Sequence, residues 1–242
     1  ERMFRICAAD AEKGIGVLVD AEESWIQDPI DRLTMEMMEI FNTEAPIVYN
    51  TLQLYRRDRL NFFKLSHQIA QERSFILAVK LVRGAYMEKE RERAAQKGYE
   101  SLIQPDKSFT DGAYNAAVDY GFEHIDSIAM VIATHNEYSN LHAAEWMHEK
   151  GLAHNHPYVH FSQLYGMRDN ITFNLANAGY SVSKYLPFGP IRDAIPYLMR
   201  RAQENSSLHG QTNRELALIK HELIRRKKAK HTASHKKLKA VS

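Results

Sequence analysis

The sequence predicts an α/β fold of the (β/α)8, TIM-like barrel type, and three observations carry that prediction. Six apolar runs of strand length recur: 16–22 (GVLVDAE), 47–55 (IVYNTLQLY), 76–86 (ILAVKLVRGAY), 128–136 (IAMVIATHN), 158–167 (YVHFSQLYGM) and 181–189 (SVSKYLPFG). Segments of helical periodicity separate them. Each run ends in polar or aromatic residues, where a barrel of alternating strands and helices collects its chemistry. Six units are two fewer than close such a barrel, which runs to about 250 residues. The expectation is therefore strands three to eight over 1–226, about 60 barrel residues upstream of Glu1, and a basic, apolar-poor tail over 227–242 that reads as disordered.

The elements follow in order. The chain opens in a helix-like stretch containing Met3, Phe4, Ile6 and Cys7. After the first strand, Asp28 is placed to cap a helix and Pro29 to occupy its first position. Ile30, Leu33, Met37, Ile40 and Phe41 then follow helical spacing. A second helix is predicted over about 56–72, with Leu60 and Phe63 inward. The charged segment after Tyr86 predicts a solvent-facing helix. A loop around Pro105 follows, then a helix carrying Ala113, Ala117 and Tyr120. Later helices are predicted over 137–150, with Gly151 as C-cap, over 169–179, 193–205 and 213–226.

Bulk composition excludes several classes. A chain of 242 residues, 44% hydrophobic, supports one globular domain with a sizeable core. Net charge is +2, so the body has no strong electrostatic bias. The single cysteine, Cys7, excludes an internal disulfide and a multi-cysteine metal centre. No apolar run is long enough to span a bilayer. The basic tail has no interleaved aromatic residues. That argues against a nucleic-acid partner and leaves weak attraction to anionic lipid.

The strand ends carry the candidate chemistry. Asp20 and Glu22 fall on one face if the first strand continues through them. A carboxylate there can serve a site or cap the next helix, and the sequence leaves both open. His135, in Thr134-His135-Asn136, can be a ligand, a base or a hydrogen-bonded core residue. His160 lies mid-strand, below the rim, and no His-X-His pair ends a strand, so no metal is expected. Lys80 and Arg83-Gly84-Ala85-Tyr86 join cations to a stretch of small residues. That lets a planar, electron-accepting ligand approach the backbone. Arg200 and Arg201 are adjacent on a predicted helix and diverge by about 100°. Glu204 follows one turn later. These three form either an exposed ion pair or a carboxylate clamp.

Taken together, the ordered segments DAE, QLY, KLVRGAY, ATHN, QLYGM, YLPFG and YLMRRAQEN resemble the proline dehydrogenase family of FAD-dependent, distorted (β/α)8 barrels. The resemblance spans 16–226 and is closer to the monofunctional members. It implies oxidation of L-proline to Δ1-pyrroline-5-carboxylate by hydride transfer to flavin N5. It implies catalytic roles for Asp20 and Lys80. Flavin contacts are implied for Ala21, Gln53, Lys80, Arg83, Gly84, Ala85, Thr134, His135 and Glu204. Tyr86, Leu164 and Tyr185 would wall the proline pocket, and Arg200 and Arg201 would bind the substrate carboxylate. Lys80 departs from the pattern, in which an arginine is common; it keeps the charge without the planar fork. The resemblance further implies a quinone acceptor and peripheral membrane association. The location would be cytoplasmic or membrane-peripheral in a bacterium and mitochondrial in a eukaryote. The alternatives are hydroxyproline oxidation on the same scaffold and a catalytically incomplete barrel.

Overall fold

The computed structural model describes residues 1–192, 194–199, 216–217 and 219–226. The chain divides into two compact units, Glu1–Leu186 and Pro187–Ser242. The first contains α1 (Arg2–Ala11), β1 (Val17–Val19), α2 (Ser24–Phe41), β2 (Val48–Gln53), α3 (Arg59–Glu72), β3 (Leu77–Val82) and α4 (Met87–Lys97). It continues with α5 (Lys107–Glu123), β4 (Ile128–Ala133), α6 (Glu137–Glu149), β5 (Val159–Leu164), α7 (Asp169–Asn177) and β6 (Val182–Tyr185). In the second unit, residues 191–192, 194–199, 216–217 and 219–226 are helical.

All six apolar runs form strands. They make one parallel sheet in the order β1-β2-β3-β4-β5-β6, curled into a half-barrel. Parallel pairing needs a crossover between successive strands, and the helices supply it. Alternation along each strand gives the sheet two unlike faces. One carries Val48, Leu52, Leu77, Val79, Leu81, Ile128, Met130, Ile132, Val159 and Phe161, all buried beneath the helices. Each such side chain is worth about 1.5–3 kcal/mol when withdrawn from water. The other face is more open, most of all on the outer strands, where Leu18 and Tyr185 are exposed.

Sequence signals set several helix ends. Asp106 caps α5 by accepting from the Ser108 and Phe109 amides (2.7 and 3.2 Å). Asn136 caps α6 through the Ser139 amide (3.2 Å). Gly98, Gly151 and Gly179 take positive φ just past α4, α6 and α7.

Three expectations are corrected. α2 begins at Ser24, so Pro29 lies inside it and Asp28 does not cap it. The first turn instead draws on a carboxylate from another element, described below. β1 ends at Val19, which puts Asp20 and Glu22 in the β1–α2 loop. Finally, α4 is not wholly solvent-facing: Glu90 and Ala94 are buried.

Candidate active site

Laterally paired residues of a parallel sheet share a face, so the register locates the site. Leu18 pairs with Tyr49, Thr51 with Lys80, Lys80 with Val131 and Val131 with His160. Gln53 pairs with Val82, Ser162 with Ser183 and Leu164 with Tyr185. These pairs belong to the open face. Continuing the alternation past the strand ends adds Asp20 after Leu18, Gly84 after Val82 and His135 after Ala133.

Side-chain bonds agree. Lys80 makes an ion pair with Asp20, reaching from β3 to the loop after β1. The intervening strand contributes Thr51, which is buried and whose hydroxyl has no hydrogen-bond partner among the described residues. His135 Nε2 accepts from the Leu164 amide at 3.0 Å, joining the ends of β4 and β5. With Nε2 acting as acceptor, the neutral ring carries its proton on Nδ1. Lower on this face, burial pushes the His160 pKa down and raises that of Tyr49 to about 12.

Residues of the opposite parity turn toward the helices. Arg83 is three positions from Lys80 and so leaves by the other face. Its Nε donates to Asp111 Oδ1 (2.6 Å), Nη1 to Thr134 Oγ1 (2.6 Å) and Nη2 to Ser139 Oγ (3.0 Å). The guanidinium lies over the Tyr114 ring at 4.4 Å. Burial alone would raise the Asp111 pKa, but Lys107 and Arg83 outweigh it and hold the carboxyl low. Thr134 Oγ1 also accepts from the Asn136 amide (3.1 Å), which fixes the turn into α6. Arg83 and Thr134 thus brace the rim with their side chains. Gln163 likewise turns away and accepts from Thr172 Oγ1 at 2.8 Å.

Gln53 ends β2 between two rim loops. Its Nε2 donates to the Glu22 carbonyl at 2.7 Å, and its Oε1 lies 3.4 Å from the Ala85 amide nitrogen. Gly84 beside it has φ +129, and a Cβ there would stand 2.4 Å from the Tyr55 ring. Only glycine fits that backbone and that approach. Tyr86 donates from its hydroxyl to Glu22 Oε2 at 2.6 Å.

The structure therefore brings Asp20, Gln53, Lys80, Gly84, His135, Leu164 and Tyr185 to one face, with Ala21, Ala85 and Tyr86 in adjoining rim loops. Arg200, Arg201 and Glu204 lie outside the described residues. Sequence reasoning missed Thr51. Its signal was position: it precedes Gln53 by two residues and so shares its face.

A parallel α/β sheet with polar side chains gathered at its carboxyl-terminal rim is the arrangement of TIM-like barrels. The comparisons specify the family. The Proline dehydrogenase family model matches residues 2–214, and the chain belongs to that family. It is 42% identical over 229 residues to human "Proline dehydrogenase 1, mitochondrial", covering 93% of this chain and 38% of the human protein. It is 38% identical over 229 residues to "Hydroxyproline dehydrogenase" of Xenopus laevis, covering 93% of this chain and 49% of that protein. The chain thus spans less than half the length of either relative. A crystal structure of proline utilization A from Bdellovibrio bacteriovorus, inactivated by N-propargylglycine, superposes with a TM-score of 0.79 at 26% identity. The match covers 86% of this chain and 22% of that one.

Proposed function

We propose that this chain forms the catalytic barrel of an FAD-dependent proline dehydrogenase, oxidising L-proline to Δ1-pyrroline-5-carboxylate. The observation that carries the reading is the convergence of Asp20, Gln53, Lys80, His135, Leu164 and Tyr185 on the open face of one sheet. Family membership supports it independently. On this reading the six strands are six of the eight in a TIM-like barrel, and 1–226 is one domain followed by the basic tail. An open sheet in the order β1 to β6 supports the six-strand part of that assignment.

The residues present suit a flavin. A cation at Lys80, an amide at Gln53 and the Nδ1–H of His135 share one face, and the Thr51 hydroxyl beside Lys80 lacks a partner among the described residues. Gly84 holds its part of the rim close against the Tyr55 ring, so no side chain of its own projects there. Lys80, Gln53 and His135 would hold the cofactor, with the rim backbone of Ala21, Gly84 and Ala85 beside it. Arg83 and Thr134 would act from behind by bracing that rim, and Glu204, which lies outside the described residues, is proposed as a further contact. The bound flavin supplies a two-electron acceptor for hydride.

The chain's own contribution is positioning and charge. Leu164 and Tyr185, paired across β5 and β6, pack the proline ring together with Tyr86 and exclude water. Arg200 and Arg201 anchor the carboxylate. The ring carbon beside nitrogen gives up a hydride while the nitrogen lone pair forms the C=N bond, so the amine must be unprotonated. Lys80, oriented by Asp20, would supply positive charge on the open face that favours an electron-accepting ligand. The electron acceptor would be a quinone, met at a membrane surface. Cytoplasmic or peripheral placement in a bacterium and mitochondrial placement in a eukaryote both fit this role.

A second reading, hydroxyproline oxidation, is favoured by the Xenopus relative. Tyr185 at the edge of the pocket argues for the unsubstituted ring. Anaerobic titration of the flavin-loaded protein tests both readings. L-proline should bleach the visible flavin bands, with 4-hydroxyproline much slower. A flavin that proline leaves unbleached overturns the first reading, and equal kcat/KM values for the two substrates overturn the preference.

A further inference from the structure

Two rim loops are latched together across the top of β2 by three residues on each side. From the β1–α2 loop and the start of α2 come Glu22, Glu23 and Ser24. From the start of α4 come Tyr86, Lys89 and Glu90. Tyr86 donates to Glu22 Oε2 (2.6 Å), Lys89 pairs with Glu23, and Glu90 takes both donors of Ser24. Glu90 is the buried member. Its Oε1 accepts the Ser24 amide at 2.6 Å and its Oε2 the Ser24 hydroxyl at 2.8 Å. It therefore supplies, from 66 residues away, the N-terminal carboxylate that α2 lacks in its own first turn. The loops so joined carry Asp20 and Ala21 on one side and Gly84 and Ala85 on the other. Gln53 bridges them from beneath through the Glu22 carbonyl.

We infer that Glu90 is a positioning residue for the proposed flavin site. By closing this clasp it sets the separation of the Asp20 and Ala85 loops without itself touching substrate or cofactor. The catalytic consequence rests on the proline dehydrogenase reading; the clasp itself does not. A misplacement of about 1 Å in a reacting geometry costs on the order of 10²-fold in rate, so a loosened rim should be visible in turnover.

Two readouts test this on the full protein. Glutamyl endopeptidase cuts after glutamate, and Glu22 and Glu23 lie at the clasp, so the cleavage rate there reports its opening without any need for flavin. In Glu90→Ala, cleavage at 22–24 should accelerate at least fivefold, with a smaller rise in Ser24→Ala. Glu90→Gln should stay near the parent, because its oxygen still accepts the Ser24 amide and its nitrogen can donate to the hydroxyl. On the flavin-loaded protein, the proline bleaching rate per bound flavin should fall about tenfold in Glu90→Ala and recover in Glu90→Gln. Unchanged cleavage at 22–24 in Glu90→Ala overturns the inference, as does faster cleavage with unchanged bleaching. If Glu90→Ala does not fold, Ser24→Ala decides: acceleration spread evenly over all glutamyl sites overturns it, and acceleration confined to 22–24 supports it. A parent flavin that proline does not bleach refutes the proposed function instead, and the cleavage comparison then decides the clasp alone.

Discussion

Two carboxylate–cation pairs on opposite sides of the same sheet show what burial does to an ion pair. Asp31 on α2 and Arg59 on α3 meet between sheet and helices at 2.5 Å, their side chains 6% and 5% exposed. Asp31 is saturated: Oδ1 accepts from Gln27 (2.8 Å) and Asn50 (2.9 Å), and Oδ2 from Arg59. Arg59 bonds Asp58 as well (3.1 Å). Asp20 and Lys80 form the same kind of pair on the open face, 52% and 12% exposed. The Asp31 carboxylate has no accepting capacity left for a ligand, and Arg59 Nε is walled in without a partner among the described residues, so the pair holds α2 and α3 to β2. A pair open on one side can be reorganised by a ligand at little cost. The proposed function draws on the second pair, and stability on the first.

Breaking the buried pair should give the largest effect. Asp31→Ala leaves Arg59 charged and short of a partner, and should cost about 3–5 kcal/mol in chemical denaturation. Replacing both, Asp31→Leu with Arg59→Met, should recover much of that loss. A loss under about 1 kcal/mol in the single variant would mean that the pair is no more structural than a surface one.

Lys80→Met on the other side should do the reverse. Stability should change by less than about 1 kcal/mol, since the partner is half exposed. The rate at which proline bleaches the flavin should fall about 10²-fold, the usual cost of removing a charged stabiliser from a reacting site. Equal losses of stability and rate would erase the contrast between the two pairs.

The same contrast shows how much the sequence disclosed. The six strands were legible because a parallel sheet covered by helices needs continuous apolar runs. The split of the rim into faces was present in the alternation but not drawn from it, since the resemblance put Lys80, Arg83, Thr134 and His135 all against the flavin. Lys80 and Arg83 are three residues apart, and Thr134 and His135 are neighbours, so each pair must part to opposite faces. Other features were hidden. Gln53 and Gln163 sit in the same Gln-Leu-Tyr string, yet one bridges rim loops and the other turns to α7, because each strand ends at a different phase of its alternation. The start of α2 was misplaced because its cap comes from Glu90 rather than from a neighbour in sequence. Asp31 carries no local mark that separates it from an exposed helical aspartate; its partners arrive from β2 and α3.

Gly84→Ala probes the open face through the backbone. With φ at +129 and the Tyr55 ring 2.4 Å from the new Cβ, the substitution strains the chain and displaces Tyr55. A cost of about 1–3 kcal/mol is expected, along with weaker retention of flavin at gel filtration. Unchanged melting and full flavin content would show that the rim tolerates a side chain there.

The smallest expected effect concerns a histidine on the covered side. His67 is buried between α3 and α5, with Nδ1 2.8 Å from the Tyr120 hydroxyl, Nε2 2.8 Å from Ser127 Oγ and the His124 ring 4.8 Å away. Burial, helped by His124, lowers its folded pKa below 6.5. The unfolded chain therefore binds the proton first, so stability is complete above about pH 6.5 and falls as pH drops toward the folded pKa. One proton limits that slope to about 1.4 kcal/mol per pH unit. His160, whose pKa burial also lowers, adds a slope of the same sign on the open face. Denaturation midpoints between pH 7.5 and 5.5 should fall less steeply in His67→Asn than in the parent, with the remainder due to His160 and any other histidine that titrates. Binding of flavin over the open face should bury His160 further, enlarging its share, and leave the His67 share untouched, because only one of the two histidines faces the site. Identical slopes in parent and variant would show that His67 takes up its proton equally in the folded and unfolded chain.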